Sequence, residues 1–406
     1  MKVNQTERWL RLLFAVAVLL FAGVIYSWSV LKAPFTAAPF NWDAAELSWN
    51  YTITIIAFCL GGFIGGLLTG KTKPVHRLLT AAVLLFFGFF LTSRLSGENV
   101  TQLYLTYGVL SGLGVGFAYT TVIGLTAAWF PDKKGLCSGI LLMAFGLTTL
   151  VVGGTAKRLF GTESFGWSKT YLLLAIVIGV LFAIAAFVLR APKPGTVFPE
   201  AKKPSAKQQS SGRDYGAGEM VKTSAFWLVF TEVALIAAIG SAAIALAGDI
   251  LGGEFKVESP AAIIGVISVL NGVGRLVSGA LFDKFGAKKT QFVTIAVVLA
   301  APAVMVCGIL AKSGAVGIAG LSLCYFSYGF APTISSVFTS AFFGTKNFTR
   351  NFGIMNLLLV PAPFAAILSG AIYKSTDSFR VPFLILTGVA AVAAVVNLLI
   401  MRVKLR

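Results

Sequence analysis

Arg275 is the only one of the 33 lysines and arginines that falls well inside a long apolar stretch rather than beside one. A guanidinium in hydrocarbon costs from a few to about ten kcal/mol, so it must face a cavity and meet a partner. Its planar fork suits a carboxylate, which it grips with two parallel hydrogen bonds. Ser268 and Asn271 lie seven and four residues before it and Ser278 three after it, so one helical face is polar. Gly272, Gly274 and Gly279 are spaced for close helix packing. Two readings stand: Arg275 anchors a carboxylate substrate, or it is a structural arginine reaching towards Asp283, eight residues on.

Among the 15 acids, Glu232 alone falls well inside an apolar segment. Counted from the same side, Glu232 and Arg275 both lie roughly 12–15 Å deep at 1.5 Å per residue, which makes them plausible partners. A buried carboxyl can exchange a proton as its partner is taken up by substrate; a fixed ion pair is the alternative. Asp249, near the far end of the same segment, is a second and weaker proton-coupling candidate, open to solvation. Tyr26, Tyr119 and Tyr328 fall near mid-depth of their segments, where a phenol can box a small anion and donate one hydrogen bond; aromatic packing explains them equally. His76, the only histidine, neighbours Arg77 in a polar loop. No nucleophile–base pair, phosphate loop or metal cluster is apparent. An enzyme, an ATP-driven pump and a cofactor or metal are therefore not expected.

The elements that must position these residues are read from composition. Hydrophobic residues make up 57% of the chain and charged ones 12%, against about 25% charged in an ordinary soluble domain. A spanning helix needs about 20 apolar residues, and twelve such segments are predicted, near 10–31, 47–69, 77–94, 102–130, 136–156, 167–189, 223–248, 259–282, 289–311, 314–344, 351–373 and 379–401. The first is too long, and too well followed by others, for a cleaved signal peptide. Cys59, Cys137, Cys307 and Cys324 all lie in apolar stretches and read as small core residues.

The net charge of +18 sorts by loop. With the N-terminus in the cytoplasm, 23 basic residues fall on that side and nine on the other, from Lys2, Arg8, Arg11 and Arg77 through the 191–222 stretch to Lys404 and Arg406. This is the positive-inside pattern, so both termini are expected in the cytoplasm and nucleic acid is not needed to explain the charge. Residues 191–222, rich in Pro, Lys, Ser and Gly, read as a cytoplasmic linker. The chain is thus expected to be an all-α membrane protein: a six-helix half over 1–190, the linker, and a second six-helix half over 223–406. Carriers with that layout hold substrate near the bilayer midplane.

Gly279, Asp283, Lys284, Gly286, Lys288 and Lys289, after the eighth segment, resemble the G-x-L-x-D-R-x-G-R-R loop of the major facilitator superfamily. The matching loop after the second segment, from Gly66 through Gly70 to Lys73, is a degenerate copy lacking the acid. Within that superfamily several blocks resemble the oxalate:formate antiporter family and, more distantly, the monocarboxylate transporters. They are Tyr26-Ser27-Trp28-Ser29; Gly112, Gly114, Gly116 and Tyr119; Trp129-Phe130-Pro131; Lys134-Gly135 with Ser138-Gly139; Gly218-Glu219-Met220 before Phe226-Trp227; and Phe343-Gly344-Thr345 leading to Arg350-Asn351-Phe352-Gly353.

The resemblance implies a twelve-helix transporter in which Arg275 contacts the substrate carboxylate. It implies cavity-lining roles for the spans of Tyr26, Tyr119 and Tyr328, the last standing where relatives carry a tryptophan. The family's second cation, a lysine in the eleventh span, is replaced here by Leu359. One fixed cation suits a monovalent anion, because a divalent one would bury an uncompensated charge. Expected partners are therefore a small monocarboxylate such as lactate, pyruvate or formate, a proton, and the lipid bilayer of the plasma membrane, with the protein a monomer. Proton-coupled symport leads; anion exchange and a non-transporting sensor are the alternatives.

Overall fold

The computed structural model of the chain describes residues 4–97, 99–193, 195–199, 213–258 and 260–403. Most of the basic core of the expected linker (200–212), with Lys202, Lys203 and Lys207, and also Lys2, Lys404 and Arg406, lies outside the described residues. The protein is helical throughout the apolar segments. Eleven helices among the described residues are long and apolar enough to cross a membrane. One of these, Ile263–Leu310, carries two of the predicted spans, broken at Gly286, whose φ of 75° no spanning helix accommodates. In chain order the spans are α1 (Gln5–Thr36), α2 (Glu46–Leu67), α3 (Pro74–Thr92), α4 (Val100–Trp129), α5 (Lys134–Phe160), α6 (Gly166–Val188), α7 (Ser224–Ala245), α8 (260–285), α9 (287–310), α10 (Gly314–Phe343), α11 (Phe348–Thr376) and α12 (Arg380–Arg402). A side chain at Gly286 would be strained, which explains a glycine at that place in the signature loop.

Local chemistry sets the ends. Asp43 and Glu46 form a reciprocal capping box before α2, with Glu46 N–H to Asp43 Oδ1 at 2.7 Å and Asp43 N–H to Glu46 Oε2 at 2.9 Å. Thr223 caps α7 by accepting from Phe226 N–H, and Pro74 opens α3, where its missing N–H is harmless. Large apolar side chains such as Leu13, Phe87, Phe187, Val266, Phe292 and Leu398 stand exposed along the helices, a surface suited to lipid and not to water.

Two compact units are present. The first holds the chain through Asp132, the stretch from Ala144 to the linker, and Thr349–Leu357. The second holds Lys133–Met143, the chain from the linker through Phe348, and Leu358 onward. In the first unit α1 tightens to a 3₁₀ turn over Gly23–Ser27 where α5 widens to a π turn over Thr149–Gly153. The freed carbonyl of Tyr26 accepts from Thr149 Oγ1 at 3.0 Å, and the Tyr107 hydroxyl donates to Val24 O at 3.3 Å. Such interruptions survive in a membrane only where neighbouring groups take up the loose backbone. α11 is likewise broken, by a 3₁₀ turn at Asn356–Leu359 and Pro361. Its first part lies against α2 and α4, with Gly353 close to Gly62 and Gly66, and Thr349 against Gly124.

In the second unit Asp283 accepts from the backbone N–H groups of Gly135 (2.9 Å) and Leu136 (2.7 Å) at the start of α5. Asp283 therefore caps a different helix from its own. Gly279 and Gly135 pack backbone to backbone beside it, an approach that a Cβ on either would block. Near the end of the linker Asp214 accepts from Thr345 and Lys346 N–H (2.9 and 3.0 Å). Glu219 holds Gly216 N–H and Arg213 at 2.8 Å each, and these two contacts lower its pKa, the backbone bond contributing most.

Expectations at four positions need correction, the first being His76, which stands in the first turn of α3 and not in a loop. Arg8 and Arg77 are not loop charges. Helix α1 starts at Gln5, which buries Arg8 to donate through Nε to Trp129 O (2.7 Å), to pair with Asp132 and to lie 4.1 Å above the Phe130 ring. Arg77 is buried in α3 and donates to Gly65 O and Thr69 Oγ1. Cys307 is exposed on the surface of α9, while Cys59, Cys137 and Cys324 are buried; an apolar segment does not say which of its faces is turned inward.

Candidate functional site

Arg275 is 1% exposed, so burial makes its partners decisive. On the polar face of α8, Asn271 one turn earlier accepts from Arg275 Nε at 3.1 Å. Arg275 NH1 donates to Leu142 O on α5 at 2.6 Å. Asp283, eight residues on, accepts from the backbone at the start of α5. Ser278 Oγ and Thr333 Oγ1 both donate to the Arg275 carbonyl at 3.1 Å. Gly274 and Gly329 let α8 and α10 meet with backbone against backbone at this level, and Gly329 lies against Asn271 O and Arg275 N. Asn271 and the Leu142 carbonyl thus hold the guanidinium in a fixed orientation on a rigid element. Ser268, by contrast, bonds to Gly265 O within α8 and takes no part.

Glu232 is completely buried on α7. The expected pairing with Arg275 is replaced by two amides: Gln291 Nε2 of α9 donates to Oε2 and Asn397 Nδ2 of α12 to Oε1, each at 2.6 Å. Among the described residues, Gln291 Oε1 and Asn397 Oδ1 are buried without a hydrogen-bond partner. The carboxyl thus sits among neutral donors, a site that can solvate either protonation state once an amide turns. Gln291 and Asn397 were missed in the sequence; an amide alone in an apolar span was the signal. Asp249, seventeen residues further on, is exposed beyond the end of α7 and does not join this cluster.

In the first unit Tyr26 and Tyr119 flank one ring, Phe145, at 5.4 and 5.1 Å between centroids. Tyr119 is buried, stacks on Phe352 (5.8 Å) and meets Phe58 edge-on (5.2 Å). In the second, Tyr328 of α10 is buried against Gly240 of α7, adjacent in sequence to the Gly329 that packs on Arg275. Leu359 is 7% exposed within the break in α11, so no cation stands there.

Known proteins resemble the chain across most of its length. An E. coli protein described as the uncharacterized MFS-type transporter YhjX is 25% identical over 356 residues, covering 87% of this chain and 85% of that one. The oxalate:formate antiporter of Oxalobacter formigenes is 27% identical over 356 residues, covering 86% and 80%. Among solved structures, the transporter FucP in its outward conformation superposes with a TM-score of 0.71 at 14% identity, covering 98% of this chain and all of that one, and so shares the fold. A family model described as Major Facilitator Superfamily matches residues 13–362, and the chain belongs to that superfamily of membrane transporters.

Proposed function

We propose that the protein is a secondary transporter of small monocarboxylates that moves a proton with each anion by alternating access. The observation that carries this reading is Arg275: a fully buried cation, braced by Asn271 and a backbone carbonyl, at the position where the resembling antiporter family contacts its substrate carboxylate. With Leu359 in place of the family's lysine, a single fixed cation favours a monoanion such as lactate, pyruvate or formate over oxalate. Asn271, Tyr328, Tyr119 and Tyr26 are the remaining substrate-site residues of the proposal. Glu232 carries the proton, with Asp249 in reserve. Inward movement of a lone monoanion against 100 mV costs about 2.3 kcal/mol, and a co-transported proton cancels that term.

The likeness to an oxalate:formate antiporter over most of both chains favours a second reading, exchange of one carboxylate for another. In either case the protein spans the plasma membrane with both termini in the cytoplasm, as the distribution of basic residues indicates. Purified protein in sealed vesicles separates the readings. Uptake of labelled lactate or pyruvate driven by an imposed pH gradient supports symport. Uptake that requires internal carboxylate and ignores the gradient supports exchange. Binding without uptake in either format would mark a sensor and overturn transport.

A further inference from the structure

One open cavity belongs to no part of the proposed transport path. It has a volume of about 730 Å³, within the ~300–1,000 Å³ range of ligand pockets, and lies between the start of α1 and the end of α6 in the first unit. Its two ends differ in chemistry. At one end stand Arg11 and Arg190 with Glu7. Leading away from them on α1 are Leu10, Leu13, Phe14 and Ala17, spaced as one helical stripe, with Phe187 of α6 beside them. Leu13 is 66% exposed and Phe187 58%, so the stripe is open along its length.

The basic end is built rather than loose. Arg11 donates to Glu7 Oε1 (2.6 and 3.1 Å) and to Val188 O (2.5 Å), and lies 4.8 Å over the Trp129 ring. Arg190 donates through Nε to Phe187 O at 2.9 Å and is otherwise exposed. Two arginines against one glutamate leave a net charge of +1, matched to the single negative charge of a phosphodiester. The first residues of α1 and the last of α6 mark a membrane edge, where a lipid headgroup would lie with its chains running along the helices.

The geometry points to this cavity as a binding site for one anionic phospholipid, its phosphate on Arg11 and Arg190 and an acyl chain along the Leu10–Leu13–Phe14–Ala17 stripe and Phe187. Charge complementarity selects the headgroup, and the apolar lane selects a lipid over free phosphate. The site is independent of what the protein transports.

Full-length protein in detergent, titrated with phosphatidylglycerol or phosphatidylcholine of the same acyl chains and read by native mass spectrometry, tests it. Wild type should retain one phosphatidylglycerol at concentrations where phosphatidylcholine is stripped. Each arginine near a membrane surface contributes about five-fold, so Arg11→Gln with Arg190→Gln should weaken that retention roughly 30-fold. Arg190→Gln alone, at an exposed position outside the helix interior, should weaken it about five-fold and guards against a misfolded double variant. Equal retention of the two lipids by wild type, or unchanged retention of phosphatidylglycerol in Arg190→Gln, would overturn the proposal. So would displacement of the lipid by millimolar inorganic phosphate, which would show a free-anion site instead.

Discussion

Replacing Glu232 by Gln removes a titratable proton while keeping the side-chain shape, and the structure says how the site should respond. The carboxyl accepts two amide N–H groups at 2.6 Å each, from Gln291 and Asn397. Hydrogen bonds to a charged acceptor contribute about 1.5–3 kcal/mol apiece and neutral ones about 0.5–1.5 kcal/mol, so the exchange weakens the pair by a few kcal/mol. Against this, no buried charge is left to desolvate, a penalty of several kcal/mol for an ion. A new amide N–H at position 232 need not be orphaned either. Among the described residues, Gln291 Oε1 and Asn397 Oδ1 are both buried and unpartnered, and turning either amide presents an acceptor. The variant should therefore fold with a thermal midpoint no lower than wild type. In vesicles pre-loaded with unlabelled substrate, it should exchange labelled anion at within about threefold of the wild-type rate, since exchange moves no net proton. Uptake driven by a pH gradient should fall at least tenfold, because in the proposed symport the step it removes is obligatory. Gradient-driven uptake at the full wild-type rate would refute Glu232 as the carrier and pass the role to Asp249 or to the substrate itself. Loss of exchange together with gradient-driven uptake in a well-folded variant would refute the separation of proton and substrate sites.

Arg275→Lys should cut transport of every substrate at least tenfold at normal expression, because an ammonium cannot bond Asn271 and Leu142 O while holding a carboxylate edge; wild-type rates would remove Arg275 as the anchor. Lactate, pyruvate and formate should compete for labelled uptake while oxalate competes poorly, and tight oxalate binding would require a second cation other than at Leu359. Asp283→Ala removes two bonds to the N-terminus of α5 and the favourable charge at its dipole, so the melting temperature in detergent should drop with a loss of about 2 kcal/mol; an unchanged melting curve would show that α5 is held without it.

Much of the fold was legible because its signals are local. Twenty-residue apolar runs, Pro- and Gly-rich breaks and the loop around Asp283 and Gly286 depend only on neighbours in sequence, and the structure returns helices at each predicted span. At two helix starts a charge misplaced the boundary: Arg8 and Arg77 read as loop residues because an unpaired cation belongs in water. Asp132 with the Phe130 ring, and the Gly65 carbonyl with Thr69, let them be buried within helices instead. Those partners lie up to 124 residues away in the chain, beyond the reach of any local pattern.

The candidate site divides in the same way. Sequence alone determined which groups are costly in an apolar helix, and so singled out Arg275 and Glu232. It also determined that Asn271, one turn from Arg275, shares its face, because helical periodicity fixes that relation without knowledge of any other segment. Only the tertiary structure decided that the two charges are solvated separately, Arg275 by Asn271 and the Leu142 carbonyl, Glu232 by Gln291 and Asn397. Equal depth on consecutive spans made a pair plausible, but depth is one coordinate, and the rotation of each helix about its axis is set by glycine-lined contacts such as Gly274 against Phe326 and Gly240 against Tyr328. Those contacts arise from shape complementarity between distant segments, and sequence spacing within one segment carries no record of them.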